Sequence, residues 1–158
     1  MKPMLPQQCP MAFLYLTWAF YGAGFVYLAL GGEYIVALAW VVFVPLVLWA
    51  YVRVFPGISH YLGYGRVDDV AAEVTGRHSV QVTMYGSLGC PFCPIVQQRL
   101  EALRDEMGFE LEHIDVTLRP GLLKAKRIKS VPVVEVGDRQ LVGNATTREL
   151  AELVRAAE

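Results

Sequence analysis

Two long stretches without formal charge dominate the N-terminal third of the chain. Met11 to Leu30 carries no charged side chain, and Tyr34 to Val54 is interrupted only by Arg53 near its end. At 1.5 Å of rise per residue, each stretch can cross the roughly 30 Å hydrocarbon core of a bilayer as a helix. Only Gly31 to Glu33 lies between them. Two helices joined so closely must run antiparallel, as a hairpin.

A buried hairpin in a soluble core and a cleaved signal peptide are the alternative interpretations. The remaining ~100 residues could not cover two helices that are apolar on every side. A signal peptide has a shorter apolar region, a small-residue cleavage site and no second span. We therefore expect residues 1–55 to form a membrane anchor, with transmembrane helices at about 11–30 and 34–54.

The few basic residues near these stretches predict the orientation of the anchor. Lys2 precedes the first stretch, and Arg53, Arg66 and Arg77 follow the second, whereas the connecting turn has no Lys or Arg. Because basic flanks stay inside, both termini are expected in the cytoplasm and the turn outside. The predicted protein is thus an integral membrane protein with two spans and a cytoplasmic C-terminal part.

The composition changes after the second stretch. From Arg53 onward, charges of both signs are interspersed, as on a solvated surface. Residues 56–79 are expected to be a juxtamembrane linker, in which Pro56-Gly57 should stop the second helix and residues 68–74 could form a short helix. Residues 80–158 are then the globular domain.

The overall charge and the cysteine count exclude two classes of protein. A net charge of −1 and a pI near 6.3 give no basic surface for nucleic acid. Three cysteines, two of them in one Cys-x-x-Cys, do not make the disulfide framework of a small secreted domain.

The hydrophobic pattern of residues 80–158 predicts an α/β domain of order β-α-β-α-β-β-α. The predicted strands are 80–85, 109–116, 131–136 and 140–142, and the predicted helices are 94–107, 120–128 and 146–156. Helices between the first three strands suggest parallel crossovers, whereas the tight turn at Gly137-Asp138 makes the last two strands antiparallel. The expected sheet is mixed and four-stranded.

The segment Cys90-Pro91-Phe92-Cys93 follows the first predicted strand and precedes its helix, the usual place of a redox motif. Unpaired N–H groups and the positive dipole end of a helix favour a thiolate, and Pro91 suits a first turn that needs no N–H from it. The two-residue spacing lets the second sulfur resolve a mixed disulfide formed by the first. The motif predicts Cys90 as the exposed, low-pKa nucleophile and Cys93 as the shielded resolving thiol.

Other roles for the cysteines stay open at this point. A structural zinc site would need two more ligands, and the candidates show no ligand spacing: Cys9, His60, His78 and His113. No metal is therefore expected, although the pair could be purely structural. If both termini are cytoplasmic, Cys9 faces the same compartment as Cys90. It could accept electrons, link to a partner, or be an incidental juxtamembrane cysteine.

Residues 79–158 resemble the thioredoxin/glutaredoxin superfamily. The matching features are the strand–CPFC–helix entry, the Val131-Pro132 pair at the third strand and the Gly143-Asn144 turn before the last helix. The CPFC-Pro segment is most similar to glutaredoxin-like archaeal disulfide oxidoreductases and bacterial peroxide-reductase electron-donor domains. The resemblance implies a thioredoxin-like fold, a cis-proline at Pro132 beside the redox pair, and substrate binding by the Val131 backbone and the Gly143-Asn144 turn.

The chain departs from the family pattern in two places. Thioredoxins carry a buried acid where this chain has Met84, so thiolate formation must rely on the helix and solvent. Glutaredoxins that use glutathione have a Gly-Gly-x-Asp segment where this chain reads Val142-Gly143-Asn144-Ala145-Thr146. This departure argues against glutathione binding, with Thr146 and Thr147 as the side chains available to replace the missing groups.

The sequence thus predicts a membrane-anchored dithiol/disulfide oxidoreductase acting as a cytoplasmic reductase. Its client would be a protein disulfide, its electron donor a thioredoxin-reductase-like flavoenzyme or glutathione, and its only redox group the cysteine pair itself. Two alternatives remain. The chain could be an accessory subunit of a membrane complex, packing through Gly22 and Gly24 and using the domain for binding. The domain could instead form or isomerise disulfides in an oxidising compartment.

Overall fold

The computed structural model describes residues 7–59, 61 and 80–157. Its first large feature is a helical hairpin made of α1 (Met11–Leu30) and α2 (Tyr34–Ile58). The helix predicted at residues 68–74 lies outside the described residues. The prediction that Pro56-Gly57 ends α2 is wrong by two residues, because the helix continues to Ile58. The hydroxyl of Ser59 donates to the Pro56 carbonyl at 2.7 Å, so a side chain caps the carbonyl that the helix end leaves open.

The hairpin packs through a small contact between its two helices. Gly24 lets α1 approach the indole of Trp40, since a Cβ at Gly24 would lie 3.1 Å from that ring. The Trp40 indole N–H donates to the carbonyl of Tyr21, and the Tyr21 hydroxyl donates to the carbonyl of Val41. Both helices are long and apolar enough to cross a membrane, and only 6% of the most apolar part of each is buried.

The C-terminal domain has a thioredoxin-like fold built on a mixed four-stranded sheet. Its elements are β2 (Gln81–Gly86), α3 (Cys93–Met107), β3 (Glu110–Asp115), α4 (Pro120–Ala125), β4 (Ser130–Val131), β5 (Val133–Val136), β6 (Arg139–Val142) and α5 (Thr147–Arg155). The strand order in the large sheet is β3-β2-β5-β6, parallel between β2 and β3 and antiparallel elsewhere. A separate two-stranded sheet pairs β1 (Cys9–Pro10) with β4.

The predicted parallel crossover from the second to the third strand is wrong, because β5 runs antiparallel to β2. The length of α4 explains the error. Its six residues span about 9 Å, whereas β3 is about 20 Å long, so α4 cannot return the chain to the end where β3 began. Arg127, with a φ of 55°, marks the end of this short helix. Val133 therefore starts beside Tyr85, at the carboxyl end of β2.

The core of the domain forms where the sequence pattern predicts it. The side chains that recur at helical spacing on one face of α3 are fully buried: Val96, Leu100, Leu103 and Met107. Thr146 caps α5 by accepting from the backbone N–H of Glu149, whose carboxylate accepts in turn from the Thr146 N–H. This packing fixes α3 against the sheet, and with it the residues at the start of α3.

Candidate functional site

The CPFC segment lies at the carboxyl end of β2, in the turn that leads into α3. Cys90 precedes the helix, and Cys93 is the first helical residue, one position earlier than predicted. Thr117, in the loop after β3, stabilises the start of this turn. Its side-chain oxygen lies 3.0 Å from the Ser87 hydroxyl and accepts a hydrogen bond from the Leu88 N–H at 2.9 Å. All three cysteines of the chain are free thiols in this structure.

The prediction that Cys90 is exposed is wrong. Cys90 has no exposed surface, and Cys93 is also buried, with 6% exposure. The reason is a third cysteine. Cys9 approaches from the N-terminal segment, and its sulfur lies 2.7 Å from that of Cys90. The segment that precedes the helical hairpin therefore covers the thiol that was expected to face solvent.

The other part of the prediction, a low pKa for Cys90, agrees with the electrostatics of the site. The pKa of Cys90 falls from 9.0 to about 4, first because the Cys9 thiol donates to it, then because the Cys93 thiol does. Burial opposes this shift, and the backbone N–H groups of Phe92 and Cys93 at the helix start add to it. The pKa values of Cys9 and Cys93 are raised, chiefly by the same hydrogen bonds to Cys90. Cys90 is the thiolate of the cluster, and the other two cysteines are its donors.

The Val131-Pro132 peptide is cis, as the resemblance implies. The carbonyl oxygen of Val131 lies 3.8 Å from the sulfur of Cys90, so this peptide adjoins the redox pair. Pro132 separates β4 from β5, which splits the predicted strand 131–136 in two. The edge of β4 is not open to solvent here, because Cys9 pairs with Val131 in the two-stranded sheet.

The Gly143-Asn144 turn contacts the same N-terminal segment. The Asn144 N–H donates to the Gln7 carbonyl at 2.7 Å, and the Asn144 side-chain amide donates to the Gln7 side chain at 3.2 Å. Gly143 has a φ of 100°, and a Cβ there would lie 3.0 Å from the Gln7 carbonyl. The turn is thus shaped for the close approach of another backbone.

Arg99 is a supporting residue that the sequence did not reveal. It lies on α3, is 1% exposed, and donates to the Asn144 side-chain oxygen at 2.7 Å and to the Ala145 carbonyl at 2.6 Å. The sequence does contain one indication of its role, which is its position on the apolar side of the helix. A buried arginine at such a position must find hydrogen-bond acceptors inside the protein. It fixes the turn that holds Gln7.

The helical hairpin also contacts the site. The ring of Phe55, near the end of α2, meets the ring of Phe92 edge-on with centroids 5.6 Å apart. The Tyr15 hydroxyl on α1 donates to the Thr117 carbonyl at 3.1 Å. An apolar cavity of about 530 Å³ lies between the hairpin and the CPFC turn, with Trp18, Trp49 and Pro91 among its lining residues. Within the described part of the chain, no group of three or more His, Cys, Asp or Glu side chains is arranged to hold a metal ion.

The C-terminal domain is similar to known proteins. Residues 81–154 match the family model of the glutaredoxin-like domain (DUF836). Among solved structures, the chain is similar to the NTD_N/C domain of alkylhydroperoxide reductase AhpF from Enterococcus faecalis, with 31% identity and a TM-score of 0.45. That similarity covers 48% of this chain and 38% of the AhpF chain. No curated protein matches the chain.

Proposed function

We propose, from the premise that residues 81–154 form a glutaredoxin-like domain of the thioredoxin superfamily, that this chain is a membrane-anchored dithiol/disulfide oxidoreductase. The observation that carries the proposal is the contact of Cys90 with Cys93 at the start of α3, where the neighbouring thiols and backbone N–H groups lower the pKa of Cys90 and favour its thiolate. A thiolate is the form of cysteine that attacks a disulfide. The Cys93 thiol, which contacts Cys90, is the group that then resolves the mixed disulfide formed by this attack.

The reaction is thiol–disulfide exchange in two steps. The Cys90 thiolate attacks one sulfur of a client disulfide, the client S–S bond breaks, and a mixed disulfide forms while the other client sulfur leaves as a thiolate. Cys93 loses its proton and attacks the Cys90 sulfur, which releases the second client sulfur. The client gains two electrons, and Cys90 and Cys93 become a disulfide. A thioredoxin-reductase-like flavoenzyme or glutathione would reduce that disulfide again.

The docking surface for an extended client is proposed to be the Val131 backbone with the Gly143-Asn144 turn. Val131 can pair with an added strand, as its pairing with Cys9 illustrates. The position where glutathione-using relatives have a Gly-Gly-x-Asp segment is here engaged with Gln7. A peptide backbone therefore fits this turn.

The cytoplasmic, reducing assignment depends on the anchor and its orientation. We propose that α1 and α2 cross the membrane and place both termini in the cytoplasm, where glutathione and thioredoxin keep such pairs reduced. A reporter cysteine in the Gly31–Glu33 turn should react with an impermeant maleimide in intact cells, and one added after the last residue should not. Labelling of the C-terminal reporter from outside would favour the oxidising alternative.

The test of the chemistry is turnover of a fluorogenic peptide disulfide by the full chain in nanodiscs, with dithiothreitol as reductant. Cys90→Ser should reduce the catalysed rate to background. Cys9→Ser with Cys93→Ser, which removes both thiols that contact Cys90, should stop after the first step when the reduced protein is freed of dithiothreitol before the peptide is added. The mixed disulfide should then accumulate and be visible by non-reducing mass analysis. Unchanged turnover in Cys90→Ser would refute the proposal.

One observation favours the second candidate, an accessory subunit that uses the domain for binding. Cys90 is fully buried, so a client disulfide can reach it only if the covering segment moves. If Cys90→Ser and the wild type both show background turnover, the binding function is the better description of the domain.

A further inference from the structure

The N-terminal segment Gln7–Pro10 lies across the docking surface in the manner of a bound peptide. Cys9 pairs with Val131 and Pro10 with Ser130 in antiparallel register. Beyond the pair, the Met11 N–H donates to the carbonyl of Lys129 at 3.0 Å. This is the addition of an extended segment to a free strand edge, the usual way in which a strand edge binds a peptide.

The other end of the segment is held by the Gly143-Asn144 turn. Two hydrogen bonds from Asn144 reach the backbone and the side chain of Gln7. The register of the segment is therefore fixed on both sides of Cys9. Val131 of β4 and the Gly143-Asn144 turn, which the resemblance implied as substrate-binding residues, are the parts of the domain that hold this segment.

This fixed register brings the sulfur of Cys9 to the sulfur of Cys90. The 2.7 Å between them is only about 0.7 Å longer than the S–S bond of a disulfide, which is about 2.05 Å. Cys9 and Cys93 contact the same thiolate, so Cys90 has two thiol neighbours that can each form a bond with it. Cys9 is buried with the pair, at 9% exposure, which protects such a bond from outside thiols.

We infer that Cys9 is a third redox cysteine and that residues 7–10 are the built-in client strand of the domain. The inference rests on the proposed function. In the oxidised protein, the Cys9 thiolate attacks the Cys90 sulfur, a Cys9–Cys90 bond forms, and the Cys90–Cys93 bond breaks. Cys93 leaves with the electron pair of the broken S–S bond and takes up one proton, which balances the proton that Cys9 lost. The exchange has no net oxidation, so it needs no further reactant.

The exchange has a consequence for access to the site. With the Cys9–Cys90 bond formed, the segment is covalently held on the docking surface, and an external peptide cannot pair with Val131. With the disulfide between Cys90 and Cys93, no covalent bond holds the segment, and the electron donor can displace it and reduce that disulfide. The position of the disulfide thus decides whether the site is open to its electron donor.

The first test uses the full chain with Cys93→Ser, in nanodiscs. The protein is oxidised with diamide, a reagent whose N=N bond takes up the two electrons and two protons that the two thiols lose. We expect loss of both remaining thiols without dimer formation, and a Cys9–Cys90 peptide pair on non-reducing mass mapping. The matched control, Cys9→Ser with Cys93→Ser, should keep its Cys90 thiol. A Cys93→Ser protein that keeps both thiols, or that forms only dimers through Cys90, overturns the inference.

A second measurement on the wild type keeps the inference testable if Cys93→Ser does not fold. The oxidised wild type is quenched with acid, alkylated and mapped. We expect part of the population to carry the Cys9–Cys90 bond with an alkylated Cys93, and the rest to carry the Cys90–Cys93 bond with an alkylated Cys9. Alkylation of Cys9 in every oxidised molecule overturns the inference.

The two proposals fail in different ways. If turnover of the peptide disulfide requires Cys90 but no Cys9–Cys90 bond forms, the inference is wrong and the proposed function stands. If the Cys9–Cys90 bond forms but turnover does not depend on Cys90, the proposed function is wrong, and the internal bond is a structural lock on a binding domain.

Discussion

The hairpin and the glutaredoxin-like domain use their apolar side chains in opposite ways. Leu30 and Ile35 in the hairpin are 85% and 86% exposed, whereas Leu100 and Leu103 in the domain are fully buried. Burying such a side chain contributes about 1.5–3 kcal/mol, which the domain gains from its own core. The hairpin can gain it only from lipid or another protein. One chain therefore contains two regions whose stability depends on different surroundings.

The two regions meet at the redox site. Phe55 of α2 contacts Phe92, Tyr15 of α1 contacts the Thr117 loop, and Cys9 contacts Cys90. Substitutions far from this junction should affect one region alone, and substitutions at the junction should affect the chemistry of Cys90.

The largest effect is expected from a core leucine of the domain. Leu100→Ala should lower the free energy of unfolding of the domain by about 2–5 kcal/mol, because it leaves a cavity in a closed core. Leu38→Ala, at a 70% exposed position of α2, is the matched control and should change it by less than about 0.5 kcal/mol. Denaturant-dependent hydrogen exchange of the strands in nanodiscs measures both. Equal effects would mean that the two regions share one core.

The second prediction concerns the thiolate. Cys9→Ala should raise the pKa of Cys90 from about 4, because the first cause of its depression is lost. A hydrogen bond to a charged group contributes about 1.5–3 kcal/mol, which corresponds to roughly one to two pH units. The pH dependence of ultraviolet thiolate absorbance measures this shift. Cys9→Ser, which keeps a donor, should shift less, and an unchanged midpoint would remove Cys9 from the electrostatics of the site.

The same pKa gives the pH dependence of stability in the reduced protein. The pKa of Cys90 is depressed from 9.0 to about 4 in the folded state. The unfolded chain therefore binds the extra proton between these values, and the stabilisation is full above pH 9 and is lost as the pH falls towards 4. Cys90→Ser should flatten this part of the stability profile.

A smaller effect is expected at the end of α2. Phe55→Ala should speed alkylation of Cys90 in the reduced protein by about 2- to 10-fold, because an aromatic pair contributes about 0.5–1.5 kcal/mol and its loss eases opening of the CPFC turn. Val54→Ala, whose side chain points outward, is the control. Equal rates in the two variants would show that α2 does not cover the site.

The smallest effect at a single position belongs to the hairpin alone. Gly24→Ala would place a methyl group 3.1 Å from the Trp40 ring, so the helices must shift by a few tenths of an ångström. Hydrogen exchange in the Gly31–Glu33 turn should increase slightly, with Cys90 reactivity unchanged. Gly22→Ala, where a Cβ meets nothing within 4 Å, should have no such effect.

Periodicity and local motifs predicted most of the fold, because they depend on neighbours in the sequence. The apolar face of α3, the cap at Thr146 and the CPFC turn are all properties of a few adjacent residues. The cis peptide at Pro132 followed from the family resemblance. Strand direction did not follow, because it depends on whether a helix is long enough to cross the sheet, and the predicted α4 was too long.

The cover over Cys90 could not be predicted from local pattern. Cys9 and Val131 are far apart in the sequence, and a two-residue strand leaves no periodic signal. Arg99 is a second example, since its partners at Asn144 and Ala145 come from another loop. For this reason the sequence predicted an exposed Cys90, whereas Cys90 is buried in the structure.

The contact of Tyr15 with the Thr117 loop has a consequence for the fit of the hairpin to a bilayer. Met11 and Leu14 are buried against the protein, so the part of α1 left for lipid runs from Leu16 to Leu30, about 22 Å. This length is shorter than a hydrocarbon layer of roughly 30 Å, whereas the 25 residues of α2 are longer than the layer is thick. If the hairpin crosses a membrane as proposed, the bilayer must thin beside α1, or the exposed Leu88 and Leu118 must enter it. The rate at which Cys90 is alkylated should therefore change with the acyl-chain length of the bilayer, because the thickness of the membrane determines the force that α1 exerts on the redox site.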